Sequence, residues 1–472
     1  MTPRVASYQQ AIDFLFGRVN YERVHDRAYS LNDFKLERMR KFLELLGNPQ
    51  QRIPVVHIAG TKGKGSTAIM IAEILSAAGY RTGLFTSPHI SAFEERMTVG
   101  GVRPEPAMLV DLVNRVLDVV NELDETPDLS PTYFEIATAL GWLYFVDQKA
   151  EIVALEVGMG GRLDSTNICR PVVTVITSIS RDHTAFLGNT LAAIAGEKAG
   201  IIKPGVPLVS GVLNDEPRDV IRSKAEAMGI PLFELGTDFR FETLRDGQPD
   251  QSLLGHSPLT RLSARIQTFT RDSLVLQLPL AGEHQAANLA VAVCAIDLLR
   301  NDGWQVSDED LHAGLLAVRW PARIEVVSVQ PTVIVDAAHN LASVQALVKT
   351  LNSDLRRTGK RLLIFAGTKD KDVPDLLAAL LPEFDVVILT KYTSNPRAMD
   401  VEDLVEIAER LGGPTLRVAA DPASAWELAK ELAGPDDLVC VAGSFFVAAE
   451  IREIVIAEKK HLPEKMSPAD AT

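Results

Sequence analysis

Along the first half of the chain, short runs of aliphatic and β-branched residues alternate with longer stretches whose apolar positions recur every three or four residues. Runs of the first kind suit strands buried on both faces, and stretches of the second kind suit the helices that cover them. The alternation therefore predicts repeated βαβ units and a mostly parallel sheet. Strands are expected over 53–58, 82–86, 152–156, 172–176 and 207–210, with helices near 66–78, 133–145 and 191–199. Between 239 and 280 the pattern changes to polar turns and short alternating runs such as 273–278, which predicts a small antiparallel sheet.

A helix is expected from about 286 to 300, and a further helical pattern near 311–318 is interrupted at Trp320-Pro321-Ala322-Arg323. Proline restricts the residue before it, so a domain boundary is placed there. Beyond it, strand patterns at 333–336, 362–366, 386–390, 416–419 and 438–442 alternate with helical stretches. The fold class is therefore α/β, with a first domain over 1–319, a linker at 320–323 and a second α/β domain over 324–457. Lys, Pro, Ser and Asp dominate 458–472, which reads as a disordered tail or a loosely attached helix end.

Composition narrows the class. A chain of 472 residues exceeds a usual single core, and 46% hydrophobic with 23% charged residues is ordinary for globular proteins. No apolar run is long enough for a bilayer, and Gln, Asp and Arg interrupt residues 1–18 where a signal peptide would be continuous. Cys169, Cys294 and Cys440 are far apart and lack metal-ligand spacing, so neither disulfides nor zinc are expected. These features predict a cytoplasmic protein without a membrane partner. A net charge of -14 argues against nucleic-acid binding, which needs a basic surface. Anionic small substrates would be met by local cations such as Lys62, Lys64, Arg162, Arg323, Lys369 and Lys371.

The strongest chemical signal is Gly60-Thr61-Lys62-Gly63-Lys64-Gly65-Ser66, which follows a predicted strand and opens a predicted helix. Glycines let backbone amides turn toward an anion, the helix N-terminus adds partial positive charge, Lys64 can reach terminal phosphates and Ser66 can approach a metal. The match to the standard phosphate loop is irregular. Ile58 holds the first glycine's place, and Gly65 separates Lys64 from the hydroxyl residue. A plain glycine-rich turn is the competing reading.

Further polar groups fall at predicted strand ends, where open parallel sheets bind ligands. Glu156 precedes a second glycine-rich loop, Gly158 to Asn167, from which Arg162 and Asp164 can contact substrate while Glu156 approaches a magnesium ion. A solvated loop explains that segment about as well. Asp182-His183 and Glu197-Lys198 read by themselves as a loop cap and an exposed helical lysine. In the second half, Asp336-Ala337-Ala338-His339-Asn340, Gly367 to Asp372 and Gly443-Ser444 share one edge, although Asn340 alone reads best as a helix cap.

Taken in order, the glycine loop, Thr86-Ser87-Pro88-His89, Glu156 to Asn167, Asp182-His183-Thr184, Glu197 to Ile201, Asn288, Trp320 to Arg323, Asp336 to Asn340 and Gly443-Ser444-Phe445 resemble the folylpolyglutamate synthases and dihydrofolate synthases of the Mur ligase family. The resemblance runs from about Tyr8 to Arg452. Lys62, Ala322, Ala337 and Ala449 depart from the family pattern, the last three standing where glycines are frequent.

The resemblance implies a doubly wound P-loop ATPase domain carrying the small antiparallel sheet, joined to a C-terminal Rossmann-like domain, with chemistry in the cleft between them. It implies ATP as cosubstrate and two Mg2+ ions. ATP would phosphorylate a carboxylate of dihydropteroate or of a folate's terminal glutamate, and the amine of L-glutamate would displace phosphate. By likeness, Thr61, Lys62, Gly63, Lys64, Gly65, Ser66, Asn288, Arg323 and Asp336 bind ATP, and Ser87 and Glu156 hold one ion. His183 helps hold the second, and Lys198 matches a lysine carbamoylated in these enzymes, so Lys64, His183, Lys198 and His339 are the implied catalytic groups. Thr132, Tyr133, Phe134 and Glu135 with Leu163, Asp164 and Ser165 match the pterin pocket, where a ring can stack and a carboxylate can accept ring N–H groups. His339 and Ser444 match the glutamate side. A monomer acting on small molecules is expected. The rivals are a sister Mur ligase acting on a cell-wall precursor and a P-loop nucleotide switch without ligase activity.

Overall fold

The computed structural model describes residues 4–22, 36–182, 184–244, 262–355, 357 and 359–461. These form two compact units, one running to Trp320 and the other starting at Pro321. The tail expected over 458–472 lies outside the described residues from 462 onward. Up to His461 it continues the helix Phe445–His461, because Glu458 accepts from Trp426 Nε1 at 2.9 Å and from Lys430 Nζ at 2.8 Å.

The first unit is built on β1 (Val55–Ala59), β2 (Thr82–Phe85), β3 (Met97–Val99), β4 (Ile152–Glu156), β5 (Pro171–Ile176), β6 (Leu208–Ser210) and β7 (Leu232–Glu234). They join in the order β3-β2-β4-β1-β5-β6-β7, parallel except for β3 against β2. The sequence pattern does not reveal β3 and β7, which are three residues each at the sheet's edges, too short for a periodic signal.

β1 lies centrally and is buried throughout, so alternate side chains feed opposite layers. Val56 and Ile58 join a core with the helices Lys64–Ala77 and Glu283–Asn301. Val55 joins another with Leu15, Phe42, Leu112 and Trp142. The antiparallel sheet expected after Phe239 is β8 (Arg240–Leu244), β9 (Leu262–Thr268) and β10 (Arg271–Leu278), in the order β10-β9-β8. Ala264, Ile266, Leu276 and Leu278 on it pack into the Glu283–Asn301 core, while Arg265, Gln267, Ser273, Val275 and Gln277 at the alternate positions stay exposed.

The second unit carries β11 (Glu325–Val329), β12 (Thr332–Val335), β13 (Arg361–Phe365), β14 (Val386–Leu389), β15 (Thr415–Val418) and β16 (Leu438–Ala442). Their order is β11-β12-β16-β13-β14-β15, again parallel except for β11 against β12. β11 escaped the sequence reading because its hairpin with β12 mixes Glu, Ser and Gln into the apolar run. Both units are thus α/β layers on mostly parallel sheets, as expected.

Candidate active site

In the first unit the loops after β1, β4 and β5 meet, because β4 and β5 flank β1 with their C-terminal ends on the same side. The glycine loop turns on positions that other residues would strain. Gly63 has φ 83°, and a Cβ there would lie 2.1 Å from Asn288 Oδ1. A Cβ on Gly65 would lie 2.6 Å from the Trp320 ring. Gly63 caps the helix Lys64–Ala77 without a side-chain hydrogen bond, so the first-turn amides keep their capacity for an anion. Asn288, one of the residues expected to bind ATP, thus abuts the loop itself, with its Nδ2 donating to Gln285 Oε1 at 3.0 Å.

The loop is clamped from β5. Thr61 N donates to Ser178 O at 2.7 Å, and the hydroxyls of Thr177 and Ser178 donate to Lys62 O at 2.6 and 3.0 Å. Thr177 and Ser178 were not singled out from the sequence, although a Thr-Ser pair directly after a predicted parallel strand marks such an edge. Lys62, expected on phosphate, extends to Asp182 Oδ2 at 2.9 Å. Lys64 Nζ lies 3.8 Å from Glu156 Oε1, whose partner oxygen accepts from Ser87 N at 3.1 Å. Lys64, Ser87 and Glu156 therefore come together, with Glu156 only 4% exposed, and Ser66 lies buried in the first turn of the helix Lys64–Ala77. His183 lies outside the described residues.

Lys198 ends the helix Leu191–Lys198 and points inward rather than to solvent, at 4% exposure. Its Nζ donates to Gly60 O at 2.9 Å. Burial, with the nearby positive charge of Lys64, brings its pKa down to about 7. The reading of an ordinary exposed lysine is thereby excluded. Arg162, by contrast, pairs with Glu197 at 2.8 Å on the loop's outer side.

The second glycine loop packs on the helix Tyr133–Asp147. A Cβ on Gly158 would lie 2.3 Å from the Phe134 ring, so the loop backbone lies directly on that ring. Tyr133 is buried and stacks on Phe16 with ring centroids 5.4 Å apart. Asp164 accepts from Met159 N at 2.9 Å and from Thr166 N and Oγ1 at 3.0 and 2.5 Å. Burial raises its pKa against those donors. Ser165 Oγ bonds Thr138 Oγ1 at 2.7 Å. Glu135 is engaged otherwise than expected: with Thr132 it closes the helix's capping box, and it accepts from Arg38 Nε at 2.8 Å.

In the second unit, β12, β16 and β13 are neighbours, so the three loops after them share one edge. Asp336 accepts from Ile324 N and Ala338 N, both at 2.8 Å, and burial moves its pKa up to about 6. Arg323 lies over the Phe445 ring at 5.9 Å, and His339 Nδ1 donates to Ala337 O at 2.9 Å. Asn340 caps the helix Leu341–Asp354. Ser444 is buried, with its Oγ accepting from Phe446 N at 3.1 Å. Lys369 pairs with Asp400 at 3.1 Å.

Family models match both units. The Mur ligase middle domain covers residues 58–296, and the Mur ligase glutamate ligase domain covers 322–445. Over 454 residues the chain is 34% identical to the dihydrofolate synthase/folylpolyglutamate synthase of Bacillus subtilis, spanning 95% of this chain and 99% of that one. The chain belongs to the Mur ligase family, in its folylpolyglutamate and dihydrofolate synthase branch. Among solved Mur ligase structures, the folylpolyglutamate synthase of Mycobacterium tuberculosis complexed with ADP and AMPPCP superposes with a TM-score of 0.82 at 32% identity, covering 96% of this chain and 99% of that one. The FolC protein of E. coli in complex with DHPP and ADP superposes at 0.81 with 29% identity, covering 97% and 100%.

Proposed function

We propose that the chain is an ATP-dependent, ADP-forming ligase that joins L-glutamate to dihydropteroate, to the terminal glutamate of a reduced folate, or to both. The observation that carries this reading is the helix N-terminus at Gly63, which has no side-chain cap, with Lys64 and Glu156 facing each other 3.8 Å apart beside it. The names of the relatives supply the folate and the glutamate.

The acceptor carboxylate attacks the γ-phosphorus of ATP, and the bond to the β–γ bridging oxygen breaks to give an acyl phosphate and ADP. The amine of glutamate then attacks the acyl carbon, and phosphate leaves with the C–O electron pair as the nitrogen loses a proton. Both partners in the first step are anions. Lys64 and the first-turn amides of Lys64–Ala77 offset their repulsion and hold the phosphates in line. Thr61, Lys62, Gly65 and Ser66 complete the loop, and Lys62 does so through Asp182.

The donors fit magnesium as this ion is usually held, by one carboxylate and hydroxyls with phosphate oxygens completing the shell. Glu156, Ser87 and Ser66 supply that set, and the buried amine of Lys198, once carbamoylated, would join His183 at a second ion. Bound magnesium would supply neutralisation of the transferring phosphoryl group. Phe134, Leu163, Asp164 and Ser165 would line the pterin side. Arg323 and Asp336 would serve the nucleotide, and His339 and Ser444 the glutamate. Residues 320–323 would act as the linker. Three free, buried thiols are compatible with the reducing cytoplasm, and no helix among the described residues is long and apolar enough to cross a membrane. A single chain carries every residue named, and the working form is taken as a monomer.

Purified protein supplied with ATP, magnesium, glutamate and either dihydropteroate or tetrahydrofolate should release phosphate and form a product heavier by one glutamyl residue. No phosphate release with either acceptor would overturn the folate assignment, and turnover only with a cell-wall peptide precursor would transfer it to a sister branch.

A further inference from the structure

One buried titratable group has no part in the reaction just described. His57 sits in the middle of β1 among Val55, Val56, Ile58 and Ala59, and is 0% exposed. Its neighbours on that strand are all aliphatic, and an aliphatic residue would fill the position without burying a polar ring. The cost is visible at Nδ1, which has no hydrogen-bond partner among the described residues. What the ring gains is one bond, from Nε2 to Thr166 Oγ1 at 2.9 Å.

The direction of that bond follows from the next one. Thr166 Oγ1 donates its only proton to Asp164 Oδ1 at 2.5 Å, so it must accept from His57, which fixes the imidazole with its proton on Nε2. Burial holds the ring neutral, with a pKa down to about 3, so the tautomer is stable across the working range. Asp164 in turn gathers the amides of Met159 and Thr166, at the two ends of the second glycine loop. The chain of bonds thus runs from the rigid centre of the sheet to the loop.

We propose that His57 is a positioning residue which, through Thr166, sets the carboxylate of Asp164 and with it the 158–167 loop that receives the acceptor. This rests on the reading of Asp164 as an acceptor-side residue. Glutamine can place an N–H close to where Nε2 lies, whereas leucine fills the volume and donates nothing.

The test compares His57→Leu, His57→Gln and Thr166→Val in the full chain, measuring KM for ATP and for the folate acceptor and the exchange rates of the Met159 and Thr166 amides. In His57→Leu, acceptor KM should rise about ten-fold with KM for ATP within about two-fold, and both amides should exchange faster, as expected for one lost hydrogen bond. His57→Gln should restore all three readouts, and His57→Leu should add little to Thr166→Val. Unchanged amide exchange in His57→Leu, or an equal rise of both KM values that Gln does not rescue, would overturn the proposal. Should His57→Leu fail to fold, Thr166→Val must by itself raise acceptor KM and speed exchange at Met159, or the proposal falls. Asp164→Asn separates the two readings: an unchanged acceptor KM there removes the acceptor assignment, while amide exchange still reports on His57.

Discussion

Lys198 Nζ donates to the carbonyl oxygen of Gly60 at 2.9 Å, tying the last turn of one helix to the first residue of the phosphate loop. With a pKa of about 7, a large fraction of this amine is neutral at physiological pH and able to take up carbon dioxide as a carbamate. Lys198→Ala should lower kcat by about 10²- to 10³-fold, with partial recovery on adding acetate as a surrogate carboxylate. Labelled bicarbonate should give a carbamate carbonyl signal in the wild type that the variant lacks. Full turnover by Lys198→Ala would remove the residue from the chemistry.

Asn288 leaves no room for a side chain at Gly63. At φ 83°, and with Asn288 Oδ1 only 2.1 Å from where a Cβ would lie, Gly63→Ala should weaken ADP binding by at least about ten-fold. Calorimetric titration would measure it. Adding Asn288→Ala should recover only part of the loss, because the positive φ remains strained. Wild-type affinity in Gly63→Ala would show that the loop does not need this turn.

Ala322 adopts φ 51°, in the left-handed region that favours glycine. Its carbonyl accepts from Ala337 N at 2.9 Å, so the conformation is held by the second unit's own sheet edge. Ala322→Gly should therefore stabilise the protein by up to about 1 kcal/mol in denaturant unfolding, less the entropy glycine loses on folding. A clear loss of stability would mean that the alanine methyl contributes more packing than the strain costs.

Asp336 has its pKa moved from 3.8 up to about 6, chiefly by burial, despite Arg323 and two backbone donors. Because the folded value is the higher one, the linked stability is fully present below pH 3.8 and is lost as pH rises through about 6. The difference in unfolding free energy between wild type and Asp336→Asn should thus shift against the wild type between pH 4 and 6 and level off above. A flat difference across that window would refute the raised pKa.

The α/β class, the central strands and the loops that carry polar groups at their ends were all legible before folding. These are local properties: a buried parallel strand is a continuous apolar run, and a glycine loop before a helix is contiguous. The run around Val55–Ala59 followed by Gly60 to Ser66 shows both. Short edge strands such as Met97–Val99 and Leu232–Glu234 carried too few residues for any period to register.

Partners became visible only in three dimensions, because they come from distant parts of the chain. Lys62 meets Asp182, 120 positions away, at 2.9 Å. Glu135 accepts from Arg38, 97 positions away, a partner that no local pattern announces. Lys198 passed for a surface lysine, since nothing in its helix records the burial that lowers its pKa. The phosphate loop shows both sides of the division: its residues were readable in one stretch, but their roles depend on side chains from β4, the segment after β5 and the helix Glu283–Asn301 that folding brings to it.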